Sequence, residues 1–224
     1  MKILALDTST EHCSVALWSD GALDARETRA GQSHSEMLLA MVDELLARNR
    51  LRADGLDAVA FGAGPGSFTG LRIACGVAQG LALGAGLPVV GVSTLVAMAQ
   101  AAGGERAVCC LDARMGEIYH GAYERAGEEW RTVHEPSLCA PEAAPQLPAG
   151  MWTGCGSGFA AHGAALARRY AGRLAAVIPK AYPHAREIAQ IAARAVAQGR
   201  TVAPGQAAPV YIRDKVALRS DERR

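Results

Sequence analysis

Short apolar runs that stop on an acid, followed by alternating stretches and then by helix-period stripes, recur along this chain. Ile3-Leu4-Ala5-Leu6 is a continuous apolar run ending at Asp7, the pattern of a strand buried on both faces. Residues 13–18 form a second β-prone run, closed by the turn Ser19-Asp20-Gly21, and residues 22–28 alternate well enough to complete a meander. A helix over 33–49 comes next. Ser33 with Glu36 fits a capping box, and Met37, Leu38, Met41, Val42, Leu45 and Leu46 make a wide apolar stripe. Residues 58–61 predict a short buried strand that runs into a glycine-rich stretch from Gly62 to Gly70. A small-residue helix over 69–85, a strand over 89–92 and a helix over 94–102 follow.

After Gly103-Gly104 the pattern starts again. Residues 107–111 are an apolar strand ending at Asp112, with further strands over 118–123 and 129–134 around the turn Ala126-Gly127. The acid and the turn glycine fall at nearly the same spacing as Asp7 and Gly21, a weak sequence repeat and a stronger topological one. Residues 136–148 hold four prolines and read as a surface connection. A strand over 151–155, helices near 160–170 and 185–199, an extended segment over 209–213 and a polar, mobile tail complete the expectation. Three meandering strands, then helix, strand and helix, twice over, predict an α/β protein. Its two related βββαβα-type halves, 1–102 and 103–224, have the arrangement of the actin/hexokinase-like (ASKHA) fold.

Composition refines this picture. Half of the 224 residues are hydrophobic but only 5% are aromatic, and 25 are glycine, so the core must use small side chains and close backbone approach. A net charge of +1 argues against a protein whose main task is gripping nucleic acid; the one basic patch is the tail over 213–224. Of six cysteines, Cys13, Cys75, Cys109, Cys110 and Cys155 lie in apolar runs, and no C-x-x-C spacing occurs. That is the usage of buried free thiols in a reducing compartment. Asp7 cuts the first apolar run too short for a leader or a membrane span, so the expected location is cytoplasmic.

Two segments carry candidate chemistry. Asp7 stands at the carboxyl end of a strand beside Thr8, Ser9 and Thr10, where an acid can position a metal-bound phosphate and hydroxyls can face phosphate oxygens; equally, the hydroxyls can satisfy turn backbone. The stretch containing Gly64, Gly66 and Ser67 opens a helix, so its amides suit an anion, or its glycines simply allow strand and helix to approach. It is no Walker A loop, because Leu71-Arg72 stands where a Lys would follow Gly70, and Ser67 is not centred in G-x-S-x-G. The histidines, His12, His34, His120, His134, His162 and His184, include no two within four residues of one another, so no metal site is expected. The helix over 69–85 is unusual. Gly76, Gly80 and Gly84 recur every four residues, and each costs about 1 kcal/mol of helix stability relative to Ala. Either the protein's own sheet or a partner's helix must approach closely along that groove.

Several stretches together resemble the TsaB (YeaZ) family: Ile3-Leu4-Ala5-Leu6-Asp7-Thr8-Ser9-Thr10, Gln32-Ser33-His34-Ser35-Glu36-Met37-Leu38-Leu39, and Gly64-Pro65-Gly66-Ser67-Phe68-Thr69-Gly70-Leu71-Arg72. Gly91-Val92-Ser93-Thr94-Leu95 and Tyr211-Ile212-Arg213 also fit. The resemblance implies a non-catalytic subunit that supports a TsaD-type transferase, which moves a threonylcarbamoyl group to N6 of adenosine 37 in tRNA, and that recruits a TsaE-type ATPase. The paired histidines of the TsaD sister family have no counterpart here. The resemblance further implies a partner surface built from His34, Met37, Leu38, Met41, Leu45, Thr69, Arg72, Ile73, Gly76 and Gly80, used also in a homodimer of the isolated chain. No cofactor of its own is implied, with ATP or ADP belonging to the assembled complex, and tRNA touched only indirectly. The alternatives are an actin-fold ATP-dependent phosphotransferase using Asp7 and the glycine loop, and a peptidase, for which no motif supplies a nucleophile.

Overall fold

The structure is a computed structural model that describes residues 1–31 and 33–213; Gln32 and the tail expected to be mobile lie outside the described residues. Two five-stranded sheets form the frame. The first contains β1 (Lys2–Asp7), β2 (His12–Ser19), β3 (Ala22–Arg29), β4 (Ala58–Gly64) and β5 (Val89–Ser93), ordered β3-β2-β1-β4-β5. Between its strands run α1 (His34–Arg48), α2 (Phe68–Ala85) and, after β5, α3 (Thr94–Ala102). The second sheet contains β6 (Arg106–Arg114), β7 (Glu117–Ala126), β8 (Glu129–Cys139), β9 (Trp152–Cys155) and β10 (Leu174–Ile178), with α4 (Ser157–Arg169) before β10 and α5 (Ala185–Ala197) after it. Its order, β8-β7-β6-β9-β10, repeats that of the first sheet strand for strand. The duplicated actin/hexokinase-like arrangement read from the sequence is therefore present.

β1 explains why its run is continuously apolar rather than alternating. Leu4 and Leu6 face the core under α1 and α2, whereas Ile3 and Ala5 face a second core under α5. Being central, it pairs antiparallel with β2 (Leu4 opposite Leu17) and parallel with β4 (Leu4 opposite Val59). A strand buried on both faces has no polar side to show.

The second half departs from the first in one respect. No α-helix stands between β8 and β9; a single 3-10 turn at Pro141–Ala143 replaces it, in the stretch whose prolines cannot donate helical hydrogen bonds. β8 also runs five residues beyond the predicted end, through Pro136 to Cys139, because β7 offers a partner along that length. β10 was not expected from the sequence at all.

The closing helices are exchanged between the halves. α5 lays Ala185, Ile188, Ala189, Ala192 and Ala193 against Ile3, Ala5, Ala58 and Ala60 of the first sheet. α3 places Leu95, Met98 and Ala99 against Ala107, Cys109 and Leu111 of the second. The abundance of alanine at these contacts accounts for a core with so few aromatics: small side chains let helix and sheet come close, and close approach supplies the contact area that large rings would otherwise provide. All six cysteines are free thiols; five are buried as expected, and Cys139 is half-buried.

Candidate functional site

The glycine-rich stretch follows β4, which runs on to Gly64 rather than stopping at 61. Its loop is fastened to the turn after β1. The Ser67 amide donates to the Ser9 carbonyl at 2.7 Å, Thr8 Oγ1 donates to the Gly70 carbonyl at 2.7 Å, and Thr94 Oγ1 donates to the Pro65 carbonyl at 2.6 Å. Gly70 lies so close to Thr8 that an added Cβ would fall well inside contact distance of the Thr8 carbonyl oxygen. Ser67 caps α2 itself, its hydroxyl accepting from the Gly70 amide at 3.3 Å. These bonds tie the loop to the turn after β1, to α2 and to α3.

Asp7 is wholly buried. Its Oδ1 accepts from the Ser9 amide (3.1 Å) and hydroxyl (2.9 Å), while Oδ2 has no partner among the described residues and is walled in by Gly62, whose missing side chain leaves room for it. Burial pushes the carboxyl up from 3.8 to about 7, against the opposing pull of the two Ser9 bonds. A raised acid stabilises the fold below the unfolded pKa, and that stability is lost as pH rises through about 7. Asp7→Asn is therefore expected to remove a fall in stability between about pH 4 and 7, on the order of 4 kcal/mol at the upper end. Urea denaturation of both proteins across that window reads the difference; parallel profiles would contradict it. His120, fully buried and held down to about 4 mainly by burial, acts in the opposite sense, but equally in both proteins.

A cleft of about 1160 Å³ separates the two halves. Of the residues expected to face a phosphate, Ser9, Thr10, Gly66 and Ser67 line it, whereas Asp7, Thr8 and Gly64 lie behind its wall. The opposite wall carries the second acid of the repeat. Asp112 accepts from the Arg114 amide (3.0 Å) and guanidinium (3.2 Å), its own amide donates to Ser157 Oγ (3.0 Å), and His162 Nε2 lies 3.7 Å from its carboxylate. The sequence marked Asp112 only as a repeat of Asp7; that it borders the cleft while Asp7 does not is settled by packing. Among the described residues, no three His, Cys, Asp or Glu side chains converge at metal-binding distance.

One side of the cleft is crossed by residues 210–213. The Val210 amide donates to the Ala63 carbonyl (2.7 Å), and Arg213 reaches the second sheet, bonding the Ala113 carbonyl (2.9 Å) and Glu117 (2.9 Å). Tyr211 stacks on Phe68, with ring centroids 5.2 Å apart, and its hydroxyl accepts from Arg72 Nε at 2.8 Å. The Arg72 guanidinium itself lies 3.9 Å over the Phe68 ring.

The outer surface of α1 and α2 sorts the expected partner residues. Leu38 and Leu45 are fully buried in the first core and His34 is buried as well, so these three do not belong to an outer face. Leu38 and Leu45 form the part of the wide α1 stripe that faces the core, while His34 lies against the His12 carbonyl of β2 and lines the cleft. Met37, Met41 and Ile73 are half-buried, and Thr69, Arg72, Gly76 and Gly80 are exposed. The inner face of α2, with Leu71, Ala74, Cys75, Ala78 and Ala82, is buried. Gly76, Gly80 and Gly84 are not on it: an added Cβ at each would meet nothing within 4 Å. Packing on the protein's own sheet therefore does not account for the glycine groove. The expected capping box is absent too. Ser33 is not extended, makes no side-chain cap, and satisfies the amides of Glu36 and Met37 through its carbonyl.

Known proteins share this arrangement. A family model described as TsaD, tRNA N6-adenosine threonylcarbamoyltransferase, matches residues 28–220. A tRNA threonylcarbamoyladenosine biosynthesis protein TsaB from Escherichia coli (strain K12) is 42% identical, over 97% of this chain and 96% of its own length. The chain belongs to the TsaB family. The TsaB protein of Haemophilus influenzae is 39% identical over 96% of this chain and 95% of its own. Two solved structures from Pseudomonas aeruginosa superpose closely. One, described as similar to peptidase YeaZ, has a TM-score of 0.88 at 40% identity, covering 95% of this chain and 99% of that one. The other, YeaZ itself, has a TM-score of 0.84 at 39% identity, covering 94% and 99%. TsaB-family membership thus rests on nearly the whole length of the chain, including the second half, where the sequence motifs were sparse.

Proposed function

We propose that the chain is a non-catalytic subunit in the biosynthesis of threonylcarbamoyladenosine in tRNA, pairing through α1 and α2 with a TsaD-type transferase and bringing a TsaE-type ATPase to the pair. The observation that carries this reading is the open glycine groove of α2. Gly76, Gly80 and Gly84 cost the helix roughly 3 kcal/mol, and among the described residues no atom lies within 4 Å of an added Cβ at any of them. A partner helix lying along Thr69, Arg72, Gly76 and Gly80 would approach closely enough to recover it. Met37 and Met41, half-buried beside the groove, are unbranched and adapt to whatever is laid against them. In the absence of the transferase, a second copy would use the same face.

The phosphotransferase alternative read from the sequence rests on Asp7 facing the cleft. Asp7 is sealed behind Gly62, with its carboxyl raised to about 7, a poor ligand for a metal-bound phosphate. ATP or ADP is assigned instead to the assembled complex, and contact with tRNA to the transferase, in keeping with a net charge of +1. The setting is the cytoplasm, where tRNA is modified.

The test is reconstitution. Co-expressed with TsaD-type and TsaE-type proteins, the chain is expected to co-purify with the transferase, and tRNA modification is expected only when it is present. Full modification without it would sink the proposal. Calorimetric titration of the isolated chain with ATP is expected to be silent; micromolar binding would favour the phosphotransferase instead.

A further inference from the structure

β10 has an unusual surface for a strand. It is the outer edge of the second sheet, hydrogen-bonded to β9 alone. Its sequence, Leu-Ala-Ala-Val-Ile, contains no charge and no proline, and every residue after Leu174 is exposed, Val177 at 44% and Ile178 at 40%. Edge strands ordinarily carry a lysine, a proline or an inward charge that blocks pairing with another chain. The opposite edge, β8, follows that rule with Glu129, Arg131, Glu135 and Pro136. β10 shows only a register shift between Leu174 and Ala176. Its unpaired side leaves backbone donors and acceptors turned to solvent beside an apolar surface.

The charges are placed around the strand rather than in it. Arg168 at the end of α4, Arg173 just before the strand and Lys180 just after it are all exposed, and among the described residues none is ion-paired. That placement selects the occupant. Antiparallel pairing of two copies about Ala176 would set Arg173 opposite Pro179 and Gly172 opposite Lys180, bringing like charges together at both ends, which destabilises such a pair. A segment with acids at its ends meets the same cations favourably.

We propose that the free edge of β10 is a docking site for an extended segment of another protein, which adds to the sheet as a further strand, its apolar core along residues 174–178 and its flanking acids on Arg173 and Lys180. β10 belongs to the second sheet, whereas α1 and α2 cover the first, so this site is separate from the proposed transferase face.

A fluorescein-labelled peptide, Glu-Asp-Val-Thr-Val-Thr-Val-Asp-Glu, titrated with the full chain and followed by anisotropy, tests the site. Saturable binding is expected. It should weaken at least about tenfold in the double variant Arg173→Glu/Lys180→Glu and in Val177→Asp. Thermal melts of both variants serve as the check that these exposed substitutions leave the fold intact. A peptide with lysines for its acids, and one with a Gly-Ser core between the same acids, are expected not to bind. The proposal is overturned by absence of saturable binding up to millimolar peptide, by equal binding of either control peptide, or by undiminished binding in the folded variants. Dimerisation of the free chain that Val177→Asp abolishes would place a second copy on the edge and also overturn it.

Discussion

Gly80→Asp is expected to abolish pairing with a TsaD-type transferase while leaving the chain folded. Gly80 is exposed, and a Cβ added there meets no atom of the described residues within 4 Å, so the substitution is expected to leave the isolated chain folded. On the proposed pairing, the same carboxylate would be buried against the partner helix that lies along the groove. Burying an unpaired charge costs several kcal/mol, a loss of more than about a hundredfold in affinity. Gly80→Ala makes the comparison sharper. It should stabilise the free chain by about 1 kcal/mol through helix propensity, yet weaken the complex, because a methyl group now stands in the groove. Denaturation of the free chain and calorimetry of the pair read the two effects separately. Normal co-purification of Gly80→Asp with the transferase would remove the interface assignment.

The second large effect comes from the other end of the same helix. Gly70→Ala is expected to destabilise the chain by about 3 kcal/mol, because the added methyl, fixed to the helix backbone, collides with the Thr8 backbone carbonyl oxygen, and neither can rotate away. The hydrogen bond from Thr8 Oγ1 to Gly70 and that from Ser67 to Ser9 would be strained together, loosening the loop from β1. Gly76→Ala, the identical substitution less than two turns along, meets open space and should stabilise by up to about 1 kcal/mol. Opposite signs in urea denaturation for one chemical change in one helix would show which glycines serve the fold and which do not; equal signs would contradict the geometry.

Much of this was legible in the sequence, and each exception has a physical reason. The meanders, the helices and the Asp-ended repeat follow from local periodicity, and the strand order of the second sheet copies the first. The spacing of Gly76, Gly80 and Gly84 was visible, but the direction in which they face was not, since a glycine contributes nothing to an amphipathic pattern. The apolar stripe of α1 showed that many residues shun water without separating Leu38 and Leu45, which face the core, from Met37 and Met41 at its margin. β4 continued through Gly62 and Gly64 because β5 offered pairing partners, overriding weak strand propensity. β10 went unseen for the opposite reason: exposed after Leu174, it has no alternation to read. Asp7 could be placed at the end of a strand, but only the fold shows that Gly62 and Thr94 close over it.

The exchange of α3 and α5 has a consequence for how the chain comes off the ribosome. The first sheet is complete in sequence by Ser93, yet the face carrying Ile3, Ala5, Ala58 and Ala60 lacks most of its cover until α5 (Ala185–Ala197) has been made. The N-terminal half therefore cannot finish folding as it emerges, as N-terminal domains generally do. It must wait, with most of one apolar sheet face uncovered, for α5 to close it.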